Sequence, residues 1–197
     1  MTTTLLDKDE DADRTREGGV GEAAFFRSRN VIITGQIDDK LAARAVTQLL
    51  ALAEQSDDPI NLFISSPGGH VESGDMVHDI IGFIRPRVRC IGSGWVASAG
   101  ALIFVGAKLE DRYCLPNTRF LLHQPSGAVQ GQASDIEIQV EQIQIMTERF
   151  NKLFAEATGQ TEARIAEDTR RDFWLKSEEA VEYGLVGQII RTVDELR

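Results

Sequence analysis

Gly94-Trp95-Val96-Ala97-Ser98-Ala99-Gly100 is a run of small residues that joins a β-branched segment to an apolar one. A strand that leads directly into a helix leaves the first N–H groups of the helix unpaired, and the helix dipole favours negative charge beside them. Ser98 stands at this corner, so part of an oxyanion site would lie beside it. Close packing of a helix on a sheet explains the same residues. The G-x-S-x-G elbow is absent, since Val96 replaces its first glycine.

The chain on both sides of this corner alternates between strand and helix patterns. Buried strands are predicted at 31–34, 60–65, 88–91, 119–122 and 185–190, and helices at 41–54, 70–85, 101–105, 134–157, 161–171 and 177–183. This rhythm is typical of right-handed crossover units on a largely parallel sheet, which places the chain in the α/β class.

The carboxyl ends of two predicted strands carry unusual residues. Pro67-Gly68-Gly69 follows one strand and Ser98 follows the next. Functional groups gather at such ends in parallel sheets, and paired glycines let a ligand approach the main chain closely. A tight strand-to-helix turn is the alternative role for the glycines.

Histidine and aspartate side chains could complete a serine nucleophile. The chain offers His70, His78 and His123 as the base, and His123 is favoured because it ends a strand of the same predicted sheet. The residues alone leave the orienting carboxylate open among three aspartates: Asp135, Asp168 and Asp172.

The long predicted helix at 134–157 carries more apolar surface than one sheet contact requires. One stripe contains Ile136, Val140, Ile143, Phe150 and Phe154, and a second contains Ile138 and Ile145. We expect one face to cover the domain and the other to meet a partner subunit.

Length and composition indicate one domain. The 197 residues suit a single core, which we assign to residues 23–197. Residues 1–22 are acidic, glycine-rich and poor in large apolar side chains, which predicts a flexible segment. A mobile arm, a removed leader and a loop that orders on a partner all fit it.

Charge and cysteine usage narrow the cellular context. The net charge is −10, which argues against nucleic acid or an anionic membrane as the main partner. No apolar run approaches the roughly 20 residues that span a bilayer. Cys90 and Cys114 have apolar neighbours and no metal-ligand spacing, so we expect buried free thiols in the cytoplasm.

Several spaced motifs together resemble the ClpP family, the proteolytic subunit of the bacterial Clp protease. The resemblance covers about residues 30–190 in the family's order and rests on Ser66-Pro67-Gly68-Gly69, Ala97-Ser98-Ala99-Gly100, Cys114-Leu115-Pro116-Asn117, His123-Gln124-Pro125, residues 130–136 and residues 179–185. Several motifs that agree in one chain are more specific than any one of them.

The resemblance implies a role for each site residue. Ser98 would be the nucleophile, His123 the base and Asp172 the group that orients it, with oxyanion N–H groups from Gly69 and Ala99. It also implies a crotonase-like fold with a handle helix at about 134–157. Neither a metal nor another cofactor would be needed.

The family pattern further implies an assembly and a substrate. Two stacked seven-membered rings of identical subunits would enclose the active sites. A AAA+ unfoldase of the ClpX or ClpA type would feed them unfolded polypeptides, whose peptide bonds the serine endopeptidase would hydrolyse.

Two features depart from the family pattern. The region before Val31 is atypical, which bears on partner docking, and Arg170 replaces an acidic residue used between rings, where Arg170-Arg171 would repel like charge. They motivate an alternative function as a catalytically silent structural subunit of a mixed ring. A crotonase-fold acyl-CoA enzyme is a third hypothesis, but it accounts poorly for Ser98, His123 and Asp172.

Overall fold

The computed structural model describes residue 21, residues 23–127 and residues 129–196. Apart from residue 21, the predicted flexible segment at 1–22 therefore lies outside the described residues. A short helical segment at 23–27 leads into the first strand. The strands are β1 Asn30–Thr34, β2 Ile60–Ser66, β3 Val88–Ala97, β4 Arg112–Cys114, β5 Arg119–Leu122, β6 Phe173–Lys176 and β7 Gln188–Ile189. The helices are α1 Asp39–Gln55, α2 Val71–Phe83, α3 Ala99–Phe104, α4 Ala133–Thr158, α5 Glu162–Asp168 and α6 Ser177–Glu182.

One seven-stranded sheet organises these elements. Strands β1, β2, β3, β4 and β7 pair in that order, and all of these pairs are parallel. Strand β5 pairs in parallel with β3 and antiparallel with β6. The predicted α/β class with a largely parallel sheet is therefore confirmed.

Strand β3 is longer than the sequence pattern predicts. The predicted strand ended at Ile91, before the corner at Ser98, but β3 continues to Ala97. Its first half pairs with β4 through Gly92, and its second half pairs with β5 from Trp95 onward. The change of partner explains the length, because β5 supplies backbone hydrogen bonds that the local sequence does not reveal.

Helices α1 and α2 cover the sheet and bracket the glycine turn. The side chain of Asp38 caps α1 by accepting a hydrogen bond from the N–H of Leu41, as the Asp38-Asp39 pair predicts. Leu49 and Leu52 of α1 and Val77 of α2 are fully buried in the main core. Burying such side chains contributes about 1.5–3 kcal/mol each, so these contacts fix both helices on the sheet.

Helix α4 projects from the domain for much of its length. Only Phe150, Phe154 and Ala155 of this helix are buried. The half of the predicted stripe that covers the domain is therefore its C-terminal part, at Phe150 and Phe154, and the N-terminal part from Ile136 does not rest on the sheet. The exposed apolar side chains of this N-terminal part are Ile136, Ile138, Val140 and Ile145.

Two features near the C-terminus differ from what the local sequence indicates. Ser177 does not cap α6, since its hydroxyl donates to the carbonyl groups of Pro116 and Thr118 instead. The cap comes from the Glu179 side chain, which accepts from the N–H of Lys176. The closing strand is limited to Gln188–Ile189 because only these residues pair with β4.

Candidate active site

Ser98 occupies a strained position between β3 and α3. Its φ of 54° lies in the left-handed region, which is unusual for a residue other than glycine. The Ser98 N–H donates to the carbonyl of Leu121, and its own carbonyl accepts from Ala101 and Leu102. The backbone on both sides thus holds the hydroxyl at the carboxyl end of the sheet.

His123 follows the adjacent strand and reaches the serine directly. Strand β5 pairs with β3 through Ala97 and Leu121, which places Ser98 beside the end of β5, where Leu122 is followed by His123. The His123 Nε2 atom lies 2.8 Å from Ser98 Oγ. This contact is a hydrogen bond through which the imidazole can accept the hydroxyl proton.

Asp172 completes the row from the antiparallel strand. The β5–β6 pair matches Leu122 with Phe173, which brings His123 and Asp172 together one step further along. The His123 Nδ1 atom lies 3.2 Å from Asp172 Oδ1. A proton on Nδ1 leaves Nε2 free to act as the acceptor, which is the tautomer that a base needs.

The other aspartates considered from the sequence have different neighbours. Asp168 accepts hydrogen bonds from the Tyr183 hydroxyl at 2.9 Å and from Arg164 Nε at 3.2 Å. Asp135 lies in the first turn of α4, beside Gly131. Of the three aspartates, Asp172 is the one in contact with His123.

The paired glycines allow the main chain to approach Ser98. A Cβ atom on Gly68 would stand 2.6 Å from the Cβ of Ser98, and one on Gly69 would stand 2.1 Å from the carbonyl oxygen of Ile37. Both positions also have positive φ angles, of 93° and 154°. Only glycine fits both the space and the backbone conformation.

Two amide groups near the serine have no partner among the described residues. Among the hydrogen bonds of the described residues, neither the Gly69 N–H nor the Ala99 N–H has an acceptor. Ala99 is the first residue of α3, where the N–H has no partner within the helix. These two donors are available to a negatively charged oxygen.

An open cavity of about 440 Å³ joins these parts. Its lining includes Gly68, Gly69, Ser98 and His123, with Val71 and Pro125 among the apolar contributors. The serine, the base and the glycine turn thus face one shared space. The arrangement provides a nucleophile, a base and an oxyanion donor around a single bound group.

A family comparison agrees with this geometry. The family model described as Clp protease matches residues 20–193. The chain belongs to the Clp protease family. It is a protease subunit of the Clp type, and the predicted family and activity are confirmed.

Relatives and solved structures in this family match over most of their length. The chain is 66% identical to an ATP-dependent Clp protease proteolytic subunit from Paracoccus denitrificans. The matched region covers 89% of this chain and 88% of that protein. It is 56% identical to proteolytic subunit 2 from Pseudomonas aeruginosa, covering 93% of this chain and 96% of that protein. ClpP1 from Listeria monocytogenes is similar in structure, with a TM-score of 0.81, 47% identity and coverage of 89% and 99%. The predicted ClpP-type fold is confirmed.

The remaining histidines lie away from the serine of this Clp protease subunit. His78 Nδ1 is 3.1 Å from Asp79 Oδ1 on α2. His70 contacts Ser73 and Asp39 instead of Ser98. Across the described residues, no cluster of three or more His, Cys, Asp or Glu side chains is arranged to hold a metal ion.

Ser66 shapes the site, although its position before the glycine turn does not by itself predict this role. Its fully buried hydroxyl donates to the carbonyl of Gly35 and accepts from the N–H of Gly68. The two bonds fix the start of the glycine turn against the end of β1. A serine directly before Pro-Gly-Gly is the only sequence signal for this role.

Two further expectations concern the thiols and Arg170. Cys90 and Cys114 are buried and free, as predicted, and burial raises the pKa of Cys114 to about 11. Arg170 lies near the site and pairs with Glu167 of α5 at 3.5 Å, with both side chains exposed.

In the described part of the chain, no helix is long and apolar enough to cross a membrane.

Proposed function

We propose that this subunit hydrolyses peptide bonds with Ser98 as nucleophile, His123 as general base and Asp172 as the group that orients the base. The observation that carries the proposal is the continuous row from Ser98 Oγ through His123 to Asp172, with distances of 2.8 and 3.2 Å. Together, these contacts supply the nucleophile, the base and the correct tautomer.

Acylation begins when the substrate carbonyl carbon meets Ser98 Oγ. His123 accepts the hydroxyl proton as the Oγ–carbon bond forms, and the carbonyl oxygen becomes negatively charged. The N–H groups of Gly69 and Ala99 stabilise that oxygen. His123 then protonates the departing amine, which leaves an acyl group on Ser98.

Deacylation repeats these steps with water. His123 accepts a proton from the water molecule as it attacks the acyl carbon, and the same two N–H groups stabilise the second oxyanion. Return of the proton to Ser98 Oγ releases the carboxylic acid. The cycle requires neither a metal nor another cofactor.

Replacement of the nucleophile tests this proposal. The Ser98→Ala variant should cleave a short fluorogenic peptide at least about 10³-fold more slowly than the parent, because no acyl group can form. His78→Gln serves as a matched control, since His78 contacts Asp79 rather than the triad. Equal cleavage by the Ser98→Ala variant and the parent would overturn the proposal.

A ring-shaped assembly is the second part of the proposed function. The relatives' names describe an ATP-dependent protease, which supports a AAA+ unfoldase of the ClpX or ClpA type as partner. Exposed apolar side chains on α4 support contact between copies of the chain. Two stacked seven-membered rings would enclose the active sites, admit unfolded polypeptides and exclude folded domains.

The assembly has its own test. Ile138→Asp and Ile145→Asp place charge on the exposed face of α4 and should reduce the native mass to smaller species. Glu141→Gln on the same helix is the control. An unchanged mass in both apolar-to-Asp variants would contradict the role of α4 in assembly, while leaving the catalytic proposal intact.

The buried thiols support the cytoplasm as the location, because a reducing compartment keeps cysteines free.

The alternative function as a silent subunit has no support from the site, where serine, histidine and aspartate lie in one row.

A further inference from the structure

A second polar cluster lies beside the glycine turn, outside the row of catalytic residues. The Ser73 hydroxyl donates to Asp39 Oδ1 at 2.7 Å, and His70 Nδ1 lies 2.9 Å from Ser73 Oγ. His70 Nδ1 is also 3.2 Å from Asp39 Oδ1, and its Nε2 is 3.1 Å from Glu72 Oε2. Ser73 is buried, whereas the side chains of the three charged partners are mostly exposed.

The hydrogen bonds determine which atoms carry protons. Ser73 has one hydroxyl proton and gives it to Asp39, so the contact between His70 Nδ1 and Ser73 Oγ requires a proton on Nδ1. On the other side of the ring, Nε2 contacts the Glu72 carboxylate at 3.1 Å. Both ring nitrogens of His70 therefore have polar partners, which hold the ring in one orientation.

The backbone connects this cluster to the oxyanion donor. The N–H of His70 donates to the carbonyl of Ile37, and the N–H of Ile37 donates to the carbonyl of Gly68, both at 2.9 Å. Gly69 lies between the two bonds, and its own N–H has no acceptor in the part of the chain that the structure describes. Asp39 comes two residues after Ile37. The side-chain contacts and the backbone bonds therefore both join residues 37–39 to residues 68–73.

We propose that His70 is a positioning residue that holds the Gly69 N–H toward the oxygen bound at Ser98. The inference rests on the proposed oxyanion role of Gly69. Ser73 and Asp39 fix the position of the His70 ring. Because His70 directly follows Gly69, the fixed ring also restrains the backbone next to the Gly69 peptide. The backbone bonds to Ile37 remain without the ring, but a small reorientation of the Gly69 peptide would lower the share of molecules in which its N–H meets the developing oxyanion.

This role affects the chemical step more than substrate binding. An oxyanion donor acts on charge that appears in the transition state, so its displacement lowers kcat with little change in KM. A tetrahedral boronate adduct on Ser98 should weaken in parallel with kcat. A purely structural role would change the stability of the protein without lowering kcat selectively over KM.

The test compares His70→Val and Ser73→Ala with the parent, using the assembled full chain and a fluorogenic peptide. Each variant should lower kcat by about threefold to tenfold and leave KM within about twofold. His78→Gln, on the same helix as Ser73, is the control and should keep the parental values. Ser73→Ala alone suffices if His70→Val does not fold.

Binding of the boronate provides the second readout. Its dissociation constant should rise in each variant by about the same factor as kcat falls, because the Gly69 N–H would contact the oxygen of the tetrahedral adduct on Ser98. Parental kcat and parental boronate affinity in both variants, with Ser98→Ala inactive, would overturn the role of His70 and leave the proposed function standing. An active Ser98→Ala would instead overturn the proposed function.

Discussion

His123 Nδ1 lies 3.2 Å from Asp172 Oδ1 across the antiparallel β5–β6 pair, while the opposite ring nitrogen contacts Ser98. The Asp172 side chain is 65% exposed, so water screens its charge and weakens its hold on the imidazole. We therefore expect Asp172 to restrain the imidazole of His123 less strongly than a buried aspartate would.

We predict that Asp172→Asn lowers kcat by about a hundredfold, less than the ~10⁴-fold effect at a buried aspartate. The amide group favours the tautomer in which Nε2 carries the proton and cannot accept one from Ser98. Steady-state peptide cleavage measures the change. Asp168→Asn is the control and should retain parental kcat, and equal loss in both variants would contradict the assignment.

Gly68→Ala should abolish the site. The new Cβ would stand 2.6 Å from Ser98 Cβ and 2.8 Å from the carbonyl oxygen of Ala97, which is closer than real contacts allow. Gly35→Ala is matched in conformation, with φ of 79°, but its Cβ would have nothing within 4 Å. We expect the control to lose only ~1–2 kcal/mol from backbone strain.

Peptide cleavage and thermal unfolding separate these two glycine variants. Gly68→Ala should lose activity beyond any loss of stability, and Gly35→Ala should keep its kcat. Parental activity in Gly68→Ala would show that the main chain does not need to approach Ser98 so closely.

The elements that carry the triad were predictable, but their contacts were not. Arg119–Leu122 matches the predicted strand, and His123 follows it as expected. The sequence left three aspartates open because the choice depends on the β5–β6 register, which joins residues 49 positions apart. Periodicity within a segment carries no information on such pairing.

The same limit explains the errors in the fold. Gly92 and Gly94 indicate a turn locally, yet β3 continues past both because β5 pairs with its second half. Ser177 stands at the start of α6, where serine often caps a helix. Its hydroxyl instead donates to carbonyl groups of the loop before β5. In each case, a distant segment supplies the partner that overrides the local preference.

A stability prediction concerns Arg112, which the sequence analysis did not single out. Its side chain is buried, Nη2 donates to the carbonyl of Ala157 in the last turn of α4 at 2.6 Å, and burial lowers its pKa to about 10. Arg112→Ala would leave a cavity and an unpaired carbonyl. We expect a loss of about 2–4 kcal/mol in the free energy of unfolding.

Denaturant unfolding of Arg112→Ala and Arg85→Ala measures this difference. Arg85 pairs with Asp57 at 3.1 Å, but both side chains are more than 70% exposed. Its removal should cost less than about 1 kcal/mol. Equal losses in both variants would argue against anchoring of the helix end by Arg112.

The buried thiol predicts a pH dependence of stability. Burial raises the pKa of Cys114 from 9.0 to about 11, so the unfolded chain loses this proton before the folded one does. Stability from this group is complete below pH 9 and declines as the pH rises toward 11. Cys114→Ala should show a smaller decline in denaturant unfolding over this interval, and an unchanged decline would contradict the prediction.

The measurement closest to the central claim is covalent labelling by a fluorophosphonate, followed by mass mapping of the modified peptide. The row of Ser98, His123 and Asp172 predicts one adduct per chain on Ser98 in the parent and a labelling rate at least about 10²-fold lower in His123→Ala. An adduct on another residue, or equal labelling of Ser98 in both proteins, would contradict the account.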